Sequence, residues 1–356
     1  MFFMRYRRIP VLLALMLLAA LASACGNGYY RGPASDHFDG RKFDNPWAPM
    51  PGRFGDFLKW RLTADRGPWP ESVPVTATVP PERVIGDELR VTYVGHATVL
   101  LQTGGLNILT DPVWSDRASP LSFAGPRRVA APGVRFEDLP PIDLILISHN
   151  HYDHLDLPTL KRLRQAFDPL VLTPLGNDAI ILDAVPDMRV RTLDWGQEMS
   201  MAEGARVALE PMQHWSARGL FDRMEALWGA FVIETRGGNV YFLGDGGYAR
   251  NLSEDVKAKY GPPRLSILPV GAYEPRWFMA YAHMTPGEAV DTFVDLGAEA
   301  AMGTQHEVFA MADEAYAAPR RDLERALVDR GIDPSHFLLP RVGEWFTMPP
   351  GGRHGR

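Results

Sequence analysis

Asp143-Leu144-Ile145-Leu146-Ile147-Ser148-His149-Asn150-His151-Tyr152-Asp153-His154 is the stretch that decides the fold. Its first half is a short apolar run, the pattern of a strand buried on both faces. Its second half places three histidines and an aspartate within six residues. Alternate residues of an extended chain share a side, so His149 and His151 leave the strand end together. The turn before Asp156 then presents Asp153 and His154 a few ångströms away. Two adjacent metal subsites follow from this spacing.

A metal pair needs more donors, and the sequence supplies them at other strand ends. His214 follows the run from Val207, Asp245 follows Val240 to Gly244, and His306 follows Ala300 to Gln305. The expected set is five histidines and two aspartates without a cysteine, which suits Zn(II) and also Fe or Mn. His96, after the Val91 to Val94 run, could donate to a ligating carboxylate and Asp111 could orient a metal-bound imidazole, a purely structural role being the alternative for each. His37, His336 and His354 lack such context and read as surface or structural residues.

The rest of the chain frames this centre. With 356 residues, 46% of them hydrophobic, it can bury a sizeable core. Its 37 Lys and Arg stand against 43 Asp and Glu, a net charge of −6. With no basic stripe, the counterion release that drives nucleic-acid binding has no footprint, so nucleic acid is excluded as the main partner. The single cysteine excludes a disulfide framework and a cysteine zinc ribbon.

At the N-terminus Arg5, Arg7 and Arg8 precede an apolar run, Val11 to Ala22, of 12 residues. A membrane span needs about 20, so residues 1–24 read as a secretory signal. Leu21-Ala22-Ser23-Ala24-Cys25 resembles a bacterial lipobox, although Ala22 stands where a Leu is usual three places before the cysteine. Cys25 is accordingly expected to carry lipid and to hold the chain on the periplasmic face of a bacterial membrane in the cell envelope. Residues 25–88, rich in Pro, Gly, Trp and Arg, read as a tether and irregular segment pinned by Trp47, Trp60 and Trp69.

From Arg90 onward, short β-branched runs alternate with turns, beginning with Arg90 to Leu101 and Leu106 to Thr110. Helices are signalled at Asp156-Leu157-Pro158, at the capping box Thr285-Pro286-Gly287-Glu288, and from about Pro319 to Arg330. Val99 to Asp111 and Val232 to Asp245 echo one another, each with a Gly-Gly pair between two runs and an aspartate at the end. Two related halves, each a mixed sheet with helices outside it, are the expected architecture.

The sequence is similar to the metallo-β-lactamase superfamily and, within it, to the N-acylphosphatidylethanolamine-hydrolysing phospholipase D family. The similarity runs from about Gly40 to Thr347. It is carried by Asn45-Pro46-Trp47, Gly95-His96-Ala97-Thr98, Ser148 through Asp156, Gln213-His214-Trp215, Leu227-Trp228-Gly229, Gly244-Asp245 and the long segment Gly271 to Met279. The expected hydrolase domain is residues 89–348, with a flexible tail at 349–356; the resemblance implies an αββα sandwich and suggests a homodimer. It implies two zinc ions, one held by His149, His151 and His214, the other by Asp153, His154 and His306, with Asp245 between them. It also implies that His283 contacts the substrate phosphate. Gly246 departs from the family, where a threonine follows the aspartate.

Two zinc ions, two carboxylates and a hydroxide leave about one net positive charge, a field that suits a phosphodiester. The expected activity is zinc-dependent hydrolysis of a phospholipid to phosphatidic acid by metal-bound hydroxide, with Asp153 and His283 as catalytic residues. Trp215, Tyr273, Trp277 and Phe278 are candidates for an acyl-chain groove. Competing readings are another hydrolase of the same fold acting on a lactone, ester or β-lactam, and a non-catalytic metal-binding lipoprotein. Seven ligands shared by two metals leave room for water, which a closed structural site does not.

Overall fold

The computed structural model describes residues 28–50, 54–201 and 204–351. The signal segment and Cys25 lie outside the described residues. Two seven-stranded sheets form the centre. The first contains β1 (Leu89–Gly95), β2 (Thr98–Thr103), β3 (Leu106–Thr110), β4 (Leu144–Leu146), β5 (Leu170–Pro174) and β6 (Arg189–Leu193) side by side. The second runs through β7 (Glu198–Ser200), β8 (Arg206–Glu210), β9 (Ala230–Thr235), β10 (Gly238–Phe242), β11 (Leu265–Pro269), β12 (Ala301–Thr304) and β13 (Phe337–Leu338). The last strand, β14 (Trp345–Met348), returns to the first sheet beside β1.

The two sheets repeat one plan. In the first, β14, β1, β2 and β3 pair antiparallel and β3 to β6 pair parallel. In the second, β7 to β10 pair antiparallel and β10 to β13 parallel. The sequence echo thus marks equivalent hairpins, β2–β3 and β9–β10, each passing into the parallel half. Their turns differ by one position. Gly104-Gly105 is the loop of the first, but in the second Gly238 already pairs with Thr235, so the loop is Arg236-Gly237.

Side-chain alternation builds the layers. Val91, Tyr93, Val99 and Leu101 point inward and meet Val207, Leu209, Phe231 and Phe242 of the second sheet in one buried cluster. Leu100, Leu109, Ile145 and Ile147 point outward and are covered by α2 (Leu157–Phe167) and α3 (Asn177–Ala184) through Leu160, Leu163, Ile180 and Ile181. Leu160 is fully buried there, and its truncation to alanine would cost about 2–5 kcal/mol. Ala289, Val290, Phe293, Leu323 and Leu327 of α6 (Pro286–Leu296) and α7 (Ala318–Asp329) cover the second sheet. The result is the expected αββα sandwich.

Several elements differ from the sequence reading. Arg90 to Leu101 is two strands, because Gly95 and His96 turn through φ of 132° and 57°. The irregular N-terminal segment contains a helix, α1 (Phe54–Thr63). Trp60 is buried and donates to Asp313 Oδ1 at 3.0 Å, Trp69 donates to Glu314 O at 2.9 Å, and Trp47 lies against Trp195. α4 (Arg250–Tyr260) escaped the reading because only Leu252, Ser253 and Val256 of its eleven residues are buried. Among the described residues no helix is long and apolar enough to cross a membrane.

Candidate metal centre

The chain leaves β4 and still pairs with β5, Ile147 N donating to Leu172 O at 3.0 Å, just before the histidine motif begins. Arg218 then clamps the loop by donating to Asn150 O at 2.8 Å and Leu155 O at 2.9 Å, with its guanidinium over the Tyr152 ring. Asp156 ties the far end down, accepting from Ser115 N at 3.0 Å, Ser115 Oγ at 2.8 Å and Thr159 Oγ1 at 2.6 Å. Asp245 arrives from β10 through Gly244, which has φ +73° and whose absent Cβ would fall 2.5 Å from Ser148 Oγ. Only glycine lets the two sheets approach there.

Four donors converge first. His149 Nε2 is 2.9 Å from His151 Nδ1, His214 Nε2 is 3.3 Å from the same atom, and Asp245 Oδ2 is 3.9 Å from His149 Nε2 and 3.7 Å from His214 Nε2. All lie within 4.8 Å of one another. The second group surrounds His154 Nε2, with Asp245 Oδ2 at 3.2 Å and Asp153 Oδ2 at 3.3 Å. Asp245 Oδ2 therefore faces both groups.

The outer hydrogen bonds set the tautomers. Ala282 O can only accept, so His214 Nδ1 at 3.0 Å carries the proton and Nε2 is a bare lone pair. Ser148 Oγ donates to Asp111 Oδ2 at 2.6 Å and therefore accepts from His149 Nδ1 at 2.9 Å, which bares His149 Nε2 as well. Asp111 Oδ2 also accepts from His154 Nδ1 at 2.6 Å, and His96 Nε2 pairs with Asp153 Oδ2 at 2.8 Å. His96 and Asp111 thus make the contacts anticipated for them.

Burial and neighbouring charge divide the cluster electrostatically. Burial, then the neighbouring imidazoles, hold His149 well below the usual histidine range, and burial takes His151 down to about 4. Burial likewise depresses His214 and His283. For His154 burial is outweighed by Asp245, Asp153 and Asp111, which raise it well above the ordinary value. Burial opposes ionisation of Asp153 and Asp245, but the surrounding imidazoles hold both carboxyls below the usual range.

These residues fit a bound metal. The bare Nε2 atoms of His149 and His214 and a carboxylate oxygen of Asp245 converge within 4.8 Å, and Asp245 Oδ1 and His151 Nε2 have no hydrogen-bond partner. A divalent ion satisfies such a set.

Not every expected residue joins the cluster. His283 does stand at its rim, Nδ1 3.9 Å from Asp245 Oδ2, with the side chain 17% exposed. Its position derives from the capping box: Glu288 N donates to Thr285 Oγ1 and Thr285 N to Glu288 Oε2, while Arg276 bridges Glu288 and His283 O. Trp215 lies edge-on to His151, ring centroids 4.5 Å apart. Tyr273, by contrast, is buried with its hydroxyl on Asp322, and in the short α5 (Arg276–Met279) Phe278 stacks on Trp60 while Trp277 is half exposed beneath Lys59.

His306 stands apart from the cluster. It belongs to no donor group among the described residues; its ring stacks on Tyr93 at 5.1 Å, its Nδ1 lies 3.7 Å from Glu307, and both ring nitrogens are buried without a hydrogen-bond partner. The neighbouring Gln305 reaches His154 instead, amide nitrogen to Nε2, 3.1 Å. Sequence reasoning passed over this amide. It also passed over Ser148 and over Asn45, whose amide donates to His214 O at 2.9 Å. Asn45 sits in a stretch singled out for resemblance, which was its only signal. His37, buried between Asp36 and Asp194, is structural.

Residues 106–305 match the family model described as a β-lactamase superfamily domain. The chain is 34% identical over 331 residues to N-acyl-phosphatidylethanolamine-hydrolyzing phospholipase D 1 of Caenorhabditis elegans, covering 86% of this chain and 92% of that one. It is 31% identical over 258 residues to the mitochondrial protein of the same description from Saccharomyces cerevisiae, covering 71% and 54%. Among solved structures, an isothiocyanate hydrolase from Delia radicum gut bacteria superposes with a TM-score of 0.58 at 20% identity, over 74% of this chain and 100% of that one. The last likeness concerns the fold alone.

Proposed function

This chain belongs to the β-lactamase superfamily of metal-dependent hydrolases and, within it, to the N-acyl-phosphatidylethanolamine-hydrolysing phospholipase D family, and on that premise we propose that it is a dinuclear zinc phosphodiesterase. Its substrate is N-acylphosphatidylethanolamine or a closely related phospholipid, cleaved to phosphatidic acid and an N-acylethanolamine. The observation that carries this reading is the position of His283. Its Nδ1 is buried, has no hydrogen-bond partner, and lies 3.9 Å from Asp245 at the rim of the donor cluster.

Zinc bound by the cluster would bring the pKa of water toward neutrality and polarise a phosphoryl oxygen. His149, His151, His214 and Asp245 would hold one ion, and Asp153, His154 and Asp245 the other. His283 supplies a hydrogen bond to a phosphate oxygen, and because burial keeps it neutral, one ring nitrogen donates while the other accepts. Arg276 anchors the backbone of that residue by donating to its carbonyl at 2.8 Å. Trp215, with Arg223 4.6 Å over its ring, offers an apolar face and a cation at the same rim, which suits a lipid with an anionic head group. A lipid on Cys25 at the periplasmic face would keep the enzyme on the surface that holds such a substrate.

The test is product analysis by mass spectrometry. Zinc-loaded protein and an Asp245→Ala control are offered N-acylphosphatidylethanolamines, ordinary phospholipids, lactones and β-lactams. Metal-dependent release of phosphatidic acid with N-acylethanolamine is the expected result. Turnover of only a lactone or β-lactam would overturn the phospholipase reading while leaving the hydrolase.

A further inference from the structure

The surroundings of His154 Nε2 contain a donor that the family resemblance does not supply. Asp245 Oδ2, Asp153 Oδ2 and the side-chain amide of Gln305 lie 3.2, 3.3 and 3.1 Å from that nitrogen. A tetrahedral ion with bonds of about 2.0 Å spaces its ligand atoms about 3.3 Å apart. Each of the three thus stands from His154 Nε2 at the spacing of two ligands on one ion.

The backbone explains why the amide and not the neighbouring imidazole occupies this place. β12 ends at Thr304, and Gln305 takes φ +61°, its N–H donating to His96 O at 3.0 Å. The left-handed step breaks the strand's alternation. Gln305 turns toward His154, and His306 turns away, flat against Tyr93 and next to Glu307, which is itself held by Arg320 at 3.1 Å. Glu307 takes a second left-handed step, φ +60°, fixing the reversal from the other side.

We propose that Gln305, through its amide oxygen, completes the second metal position and that His306 is not a ligand. This rests on the reading of the cluster as a two-metal centre. The two ends of a glutamine amide are interchangeable by a half-turn of the side chain, so the oxygen takes the place of the nitrogen once an ion binds.

The consequence is an unequal pair. The first position offers three imidazoles and a shared carboxylate, a set suited to zinc. The second offers one imidazole, two carboxylates and a neutral amide oxygen, a harder set suited to manganese or magnesium and less tenacious toward zinc. The first ion is therefore retained through purification, and the second exchanges.

The experiment is metal titration of chelator-stripped full-length protein with Zn²⁺ and with Mn²⁺ against a chromophoric competitor, in wild type, Gln305→His, Gln305→Ala and His306→Ala. Thermal melts verify folding of each. Histidine tolerates the left-handed region better than most residues, so Gln305→His adds no backbone obstacle. Expected are two zinc dissociation constants at least about 100-fold apart in wild type. Gln305→His tightens the weaker at least tenfold and leaves the stronger within twofold, while Gln305→Ala weakens the second and spares the first. His306→Ala changes neither. If His306→Ala loosens the second ion and the Gln305 variants do not, the assignment of Gln305 falls and the two-metal centre stands. If the wild type binds no more than one ion and Gln305→His adds none, the two-metal reading falls and the inference with it.

Discussion

The corner formed by His149, His151 and His214 and the corner formed by Asp153, His154 and Gln305 share Asp245, yet their supports differ. The first is held by neutral acceptors, Ser148 Oγ on His149 and Ala282 O on His214. The second is held by ionisable groups, Asp111 on His154 and His96 on Asp153. In the first the imidazoles are neutral and their lone pairs face one another. In the second, Asp245, Asp153 and Asp111 outweigh burial and favour the protonated form of His154. At the second corner an incoming ion competes with a proton on His154, because a metal ligand must be deprotonated.

The most severe way to break the comparison is Asp245→Ala, which removes the oxygen facing both corners. Loss of both ions and of turnover is expected in metal analysis and product assays. Retention of two ions per chain would mean that the corners are independent.

Paired truncations sharpen the distinction. His214→Ala should abolish the tightly held ion, whereas Asp153→Ala should spare it and remove only the weaker, both read by metal stoichiometry after dialysis. Equal losses in the two variants would erase the asymmetry.

Asp111→Asn keeps the shape of the group on His154 but weakens its grip. A loss of about 10–100-fold in affinity for the second ion is expected, with the first little changed. An equal effect on both ions would show that Ser148, which links Asp111 to His149, carries the coupling.

The smallest expected effect concerns His306. Burial raises the Glu307 carboxyl, but His306 and Arg320 prevail and bring it from 4.5 to about 2. Its stabilisation is therefore present above about pH 4.5 and fades as pH falls toward 2. Glu307→Gln should lower the melting temperature near pH 6, with the gap from wild type closing under acid, and leave metal affinity unaltered. A changed zinc affinity would draw His306 back toward the metals.

Much of the centre was legible because strand ends announce themselves. An apolar run that stops on a metal-type residue names both an element and a donor, and His149, His151, Asp153, His154, His214 and Asp245 were found in that way. The capping box at Thr285 predicted α6, whereas His283 came only from the family resemblance. Elements without a contrast between faces were harder. α4 is largely solvent-exposed, and α1 lies in a segment whose prolines and glycines argue for irregular chain. The two-residue turn at His96-Ala97 left no mark either, because the apolar residues on both sides merge into one run.

By itself the sequence determined the two halves, their sheets and the residue types at the centre, since these follow from periodicity of two, turn chemistry and spacing along the chain. Only the tertiary structure decided which of two adjacent side chains, Gln305 or His306, faces the second corner. That choice depends on a left-handed backbone step held by His96, 209 residues away in sequence, and a contact of that kind leaves no local signature.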